Sequence, residues 1–185
     1  MKEIYNKLIT LAQTQSDVRE HLFTLLGYSI GYDHITEMGV RDVVSTWSFL
    51  AAKPKKLVCI DIYESYNLDE AKQYALHNDI ELEFLLQDTI DPSFQIENTD
   101  VLFIDTFHTY PQLKTELFQH SNNVNKYIIL HDTTTFGLKN ESNYPSYPRG
   151  LRAAVSEFLQ YDTNWSLVNV YENCNGLAIL ERITQ

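Results

Sequence analysis

Five short apolar runs, most of them closed by a polar or acidic residue, constrain this chain more than any other feature. They are His34-Ile35-Thr36-Glu37-Met38, Leu57-Val58-Cys59-Ile60, Leu82 to Leu86, Val101-Leu102-Phe103-Ile104 and Tyr127-Ile128-Ile129-Leu130. Each has the length of a strand, and most are continuously apolar rather than alternating, as expected of strands buried on both faces of a parallel sheet. In an open parallel sheet, ligands bind beyond the carboxyl ends of the strands. The residues that close the runs are therefore the first candidates for chemistry.

Helical patterns fill the intervals. Val40, Val43, Val44, Trp47 and Ala51 mark one face of a helix that Pro54 ends, and Ala71, Tyr74 and Ala75 do the same for Asp69 to Asn78. Tyr110, Leu113, Leu117 and Phe118 form the next apolar face, with Pro111 in its first turn, where a missing N–H does no harm. Leu151, Ala154, Val155, Phe158 and Leu159 predict another helix. Trp165 to Tyr171 and Leu177 to Leu180 predict two closing strands joined through Asn173-Cys174-Asn175-Gly176, and Asn-Gly is a strong hairpin signal. Before the core, Ile4, Leu8 and Leu11, then Leu22-Phe23 and Leu25-Leu26, predict one or two amphipathic helices ending near Gly27. Such a segment could cap the site, pack on the sheet or mediate a homo-oligomer.

The expected architecture is one α/β domain over 1–185. It comprises an N-terminal helical segment (1–31) and a Rossmann-like, doubly wound core (32–185). The core is a mostly parallel seven-stranded sheet with an antiparallel C-terminal hairpin.

Bulk properties narrow the function. A formal charge of −11 and a pI near 4.8 argue against nucleic acid or an anionic membrane as partner, since both need clustered Lys and Arg. No apolar stretch approaches the ~20 residues of a membrane helix. Two cysteines, Cys59 inside an apolar run and Cys174, make no disulfide framework. A cytoplasmic protein acting on a small or polar molecule is expected.

At the strand ends, Gly39 lets the backbone approach a ligand beside a helix N-terminus. Asp61 lies 22 residues beyond Gly39, the spacing at which a carboxylate can accept both ribose hydroxyls. Asp88 could accept from an adenine amino group or cap a turn. Asp105, His108, His131 and Asp132 fall together by topology. Two carboxylates and two imidazoles suit a divalent metal, and His108 is a candidate general base; the alternative is that His131 and Asp132 only bond the adjoining loop.

These residues carry a resemblance. Glu37-Met38-Gly39-Val40-Arg41, followed by Ser45-Thr46-Trp47, resembles the first motif of class I S-adenosylmethionine (SAM)-dependent methyltransferases. Ile104-Asp105-Thr106-Phe107-His108-Thr109-Tyr110 and Leu130-His131-Asp132-Thr133 are similar to motifs of the branch containing cephalosporin-hydroxylase-like proteins and macrolide-sugar O-methyltransferases. The resemblance covers about residues 34 to 182.

It implies SAM as cofactor, with Glu37 toward its methionine end, Gly39 in its loop, Asp61 on the ribose, Asp88 beside the adenine and Asp105 at its reactive end. It also implies Mg²⁺ or another divalent cation on Asp105, His131 and Asp132. His108 would then deprotonate the hydroxyl of a small-molecule acceptor such as a sugar. The chain departs from the pattern at Arg41, in place of a second glycine, at Thr106, in place of a glycine, and at His131, in place of a glutamate. The last removes a negative charge and should weaken Mg²⁺.

The long stretch Thr133 to Gly150, with Phe136, Tyr144, Pro145, Tyr147, Pro148 and Arg149, reads as a lid or specificity element, or as a plain surface loop. Two other readings compete. A nucleotide-dependent dehydrogenase is disfavoured because the first turn lacks the G-x-G-x-x-G spacing. A non-enzymatic cofactor- or partner-binding module would use the same scaffold without the chemistry.

Overall fold

The computed structural model describes residues 2–141 and 149–183. Seven strands form one sheet: β1 (His34–Met38), β2 (Lys56–Asp61), β3 (Glu81–Leu86), β4 (Thr99–Ile104), β5 (Val124–His131), β6 (Trp165–Tyr171) and β7 (Leu177–Arg182). Their order across the sheet is β3-β2-β1-β4-β5-β7-β6. Strands β1 to β5 pair in parallel, and β7 lies antiparallel to both β5 and β6. The expected parallel sheet with a closing hairpin is therefore observed. The order reverses between β1 and β4, which opens a crevice beyond their carboxyl ends.

Helices cover both faces. α1 (Lys2–Leu11), α2 (Leu22–Ser29), α3 (Thr46–Ala52) and α4 (Leu68–His77) share a core with Ile35, Leu57, Cys59, Val101, Phe103 and Ile129. α5 (Tyr110–His120) and α6 (Leu151–Tyr161) pack on the residues between these, among them Val58, Ile60, Leu102, Ile104, Ile128 and Leu130. Strand side chains alternate faces, so a run apolar at every position feeds two cores at once. Burying each of these large apolar side chains contributes ~1.5–3 kcal/mol. Both N-terminal helices pack on α3, and Tyr28 of α2 also meets Tyr127 of β5 with ring centroids 5.1 Å apart.

One element starts later than its periodicity predicts. The helix expected from Val40 begins at Thr46, and Val40 to Ser45 form an irregular turn with Arg41 (φ 46°) and Val43 (φ 64°) in the left-handed region. Asp61 anchors this turn: its Oδ2 accepts from the backbone N–H of Val40 at 2.7 Å and of Arg41 at 3.0 Å. Val40, Val43 and Trp47 are still buried, so the apolar spacing reported burial correctly and helix wrongly.

The C-terminal turn follows expectation: Asn175 (φ 69°) and Gly176 (φ 98°) take the positive angles of a hairpin turn. Of the long loop, 133–141 and 149–150 are described; Tyr144, Pro145, Tyr147 and Pro148 lie outside the described residues, so the lid expectation bears on them only in part. Among the described residues, no helix is long and apolar enough to cross a membrane. Both cysteines are free, and Cys59 is buried as expected.

Candidate active site

A cleft of about 820 Å³ lies beyond the carboxyl ends of β1 to β5. Gly39, Asp61, Asp88, Asp105, His108 and Asp132 all line it, so topology brings six of the sequence-predicted residues to one cavity. Gly39 is required by geometry. Its φ is +85°, and a Cβ there would stand 2.1 Å from the Asp105 carbonyl oxygen. The first turn thus crosses directly over the end of β4, fastened by the Asp105 N–H donating to Met38 O at 2.8 Å.

The charged cluster is tight. His108 Nε2 stands 3.1 Å from Asp105 Oδ1 and 2.8 Å from Asp132 Oδ2, while its Nδ1 stands 2.8 Å from Glu141 Oε2. Its ring stacks on Phe136 with centroids 5.0 Å apart. Burial by itself would lower the His108 pKa, but hydrogen bonds and charge from Asp105 and Asp132 outweigh it and push it up to about 10.

His131 is buried behind the cluster. Its Nε2 must donate to the Cys174 carbonyl at 3.1 Å, because a carbonyl oxygen can only accept. The neutral ring would then aim its Nδ1 lone pair at Asp105 Oδ1 (3.1 Å) and Asp132 Oδ2 (3.2 Å). Two carboxylates facing a lone pair repel it, so either a proton or a cation must lie there. Against the opposing effect of burial, the Asp105 charge raises the His131 pKa to about 10. Burial likewise opposes, and His131 and His108 overcome, in holding the Asp105 carboxyl well below the usual range.

The donor set fits a divalent cation on a second observation. Asp105, His131 and Asp132 each present a ligand atom within 4.8 Å of the others, and Asp132 Oδ1 is buried with no hydrogen-bond partner among the described residues. Asp132 also holds a left-handed backbone (φ 60°), strain of the kind functional sites retain. A His N–H donating to a carbonyl while the other nitrogen faces the ion is the usual support for a metal ligand.

The other predicted residues divide. Asp61 faces the cleft with both oxygens anchored, Oδ1 accepting from the Tyr63 N–H at 3.1 Å. Asp88 is exposed on the rim, its Oδ1 accepting from the Ile90 N–H at 3.1 Å, so the turn-capping role is present whatever else it does. Glu37 does not line the cleft. It is fully buried beneath the first turn, where its carboxylate accepts from the hydroxyls of Ser45 (2.5 Å) and Thr46 (2.7 Å). Burial raises its pKa to about 7 despite these bonds. Ser45 in turn lines a smaller cavity of about 330 Å³ with Asp17, Gly39, Arg41 and Asp105, so Glu37 reaches that space only through Ser45.

Sequence reasoning missed several partners. Glu141 binds His108 by side chain and also donates its backbone N–H to His108 O at 3.0 Å; nothing in a run of loop residues marks it. Asp17, from the loop after α1, pairs with the Arg41 guanidinium at 3.2 Å across the mouth of the smaller cavity. Glu116 was legible in principle, as a polar residue inside the Leu113, Leu117, His120 stripe of α5.

No known family profile matches the chain, and no curated protein sequence matches it. Solved structures do match in fold. A Corynebacterium glutamicum protein superposes with a TM-score of 0.67 at 14% identity, covering 100% of this chain and 99% of that one. The ribosomal protein L11 methylase of Lactobacillus delbrueckii subsp. bulgaricus gives 0.61 at 9% identity, covering 91% and 80%. The N-terminal domain of EvdMO1 with S-adenosylhomocysteine (SAH) bound gives 0.51 at 14% identity, covering 91% and 80%. The same domain crystallised with SAH and D-fucose gives 0.50, covering 91% and 82%. The chain has the fold of the class I SAM-dependent methyltransferases.

Proposed function

We propose that this chain is a SAM-dependent methyltransferase that methylates a hydroxyl of a sugar or other small metabolite with the help of a divalent cation. The observation that carries this is the cluster of Asp105, His108 and Asp132 on the wall of a cleft that Asp61 and Asp88 also line, with His131 buried directly behind it. In this reading Asp61 holds the ribose, Asp88 lies beside the adenine, and Gly39 allows the cofactor to pass close over the end of β4. Asp17 and Arg41 border the cavity left for the methionine end. The EvdMO1 domain crystallised with D-fucose supports a sugar acceptor, while the L11 methylase shows that the same fold serves a protein acceptor.

Asp105, His131 and Asp132 would hold the cation, which supplies Lewis-acid polarisation of the acceptor hydroxyl. The imidazole ligand favours a transition ion such as Mn²⁺ over Mg²⁺. His108 sets its own requirement: among three carboxylates it stays protonated, so it can accept a proton near neutral pH only when Asp105 and Asp132 are engaged elsewhere. Glu141 and Phe136 keep its ring in place for that transfer. Phe107, exposed beside it on the cleft wall, offers an apolar surface to the acceptor.

The test is transfer of labelled methyl from SAM to a panel of sugars and small alcohols, with and without EDTA. Chelation should abolish transfer and added Mn²⁺ restore it. Transfer that survives EDTA would remove the cation from the reading, and no transfer under any condition would favour the binding-module alternative.

A further inference from the structure

α5 carries a buried carboxylate that the proposed chemistry does not use. Glu116 is 0% exposed, yet it accepts from three groups that all line the cleft: the Thr89 hydroxyl at 2.5 Å, the Thr106 hydroxyl at 2.8 and 2.9 Å, and the Gln112 amide at 2.8 Å. These donors come from three separate segments, the turn after β3, the turn after β4 and the first turns of α5. Thr89 is held from a second side, since the His120 Nε2–H donates to its carbonyl at 2.8 Å. Removing one partner from a buried charged network leaves the others unsatisfied, so such networks fix geometry strongly. Thr106 stands where the resembling motif has glycine, which would have no hydroxyl to offer Glu116.

Asp88 and Thr89 border the end of the cleft opposite His131, and Asp88 lies near enough to Glu116 for its charge to be felt there. We infer that Glu116 is a positioning residue for the nucleoside end of the cleft, fixing the turns after β3 and β4 against each other through Thr89, Thr106 and Gln112 so that a purine fits between them. This rests on the methyltransferase reading of the site. Glu116 touches no ligand itself; it acts by holding the surfaces that do.

The experiment is calorimetric titration of wild type, Glu116→Gln, Thr106→Val and Thr106→Ser with SAH and with adenosine. Glu116→Gln and Thr106→Val should each weaken both ligands by a common factor of ~10, the size expected for a lost charged hydrogen bond. Thr106→Ser, which keeps the hydroxyl, should restore wild-type affinity. The double variant Glu116→Gln/Thr106→Val should bind no worse than Glu116→Gln alone, because the Thr106 bond is one of those that Glu116→Gln already disturbs. Equal affinities in all four folded proteins, even with a lowered melting temperature, would reduce Glu116 to a stabilising role and overturn the inference. If Glu116→Gln does not fold, the Thr106 pair decides alone. Wild type that binds neither ligand would instead overturn the methyltransferase reading.

Discussion

At His108 the electrostatics of the cleft bear most directly on the proposed chemistry. Three carboxylates within hydrogen-bond distance hold a proton on it and make it a poor base. In the proposed reading that conflict resolves when a cation engages Asp105 and Asp132, which is one of the two ways, beside a proton on His131 Nδ1, of satisfying the contacts that His131 makes with them. Replacing His108 with Ala should therefore lower kcat by ~10²–10⁴ and leave SAH affinity by calorimetry nearly unchanged. Equal losses in both would mean that the ring only braces the cleft. Asp105 and His108 were legible in sequence because a continuous apolar run announces where a buried strand stops. Glu141 was not, because it lies 33 positions from His108 and meets it only through the fold of the loop. Glu37 was singled out only through the resemblance, and its placement was not legible: whether such a side chain faces the ligand or the helix behind depends on strand parity and on where Ser45 and Thr46 come to rest.

Among the elements, the turn between β1 and α3 is the one that sequence periodicity misreads. Apolar spacing reports burial, and here the buried residues belong to a loop that Asp61 pins and Glu37 supports from beneath. The strands were readable with little error, since length, β-branching and closing polar residues all agree. That turn also carries a pH dependence. Glu37 has its pKa raised from 4.5 to about 7 in the folded protein by burial. Between those values the folded chain keeps a proton that the unfolded chain has lost, so this group contributes a loss of stability as pH rises through the window, and no further loss above it. Urea denaturation at pH 5 and pH 8 should show wild type losing ~2–3 kcal/mol more than Glu37→Gln over that interval. Parallel pH profiles for the two proteins would mean that Glu37 stays ionised in place.

The whole molecule joins a net acidic charge to a cleft that carries its own carboxylate cluster. A net charge of −11 is in keeping with a small neutral or cationic ligand, and SAM is a sulfonium. The overall architecture was legible because the alternation of strands and helices admits few topologies once crossovers are right-handed. The acceptor was not, since the side chains that line the cleft meet only in the folded state. The account stands or falls on the cofactor, and thermal denaturation with SAH, with NAD and with no ligand tests it most directly. At a hundredfold excess over its dissociation constant SAH should add ~2.7 kcal/mol, a rise of ~5–10 °C in Tm for a domain of this size, while NAD leaves Tm unchanged. A shift with NAD and none with SAH would contradict the account.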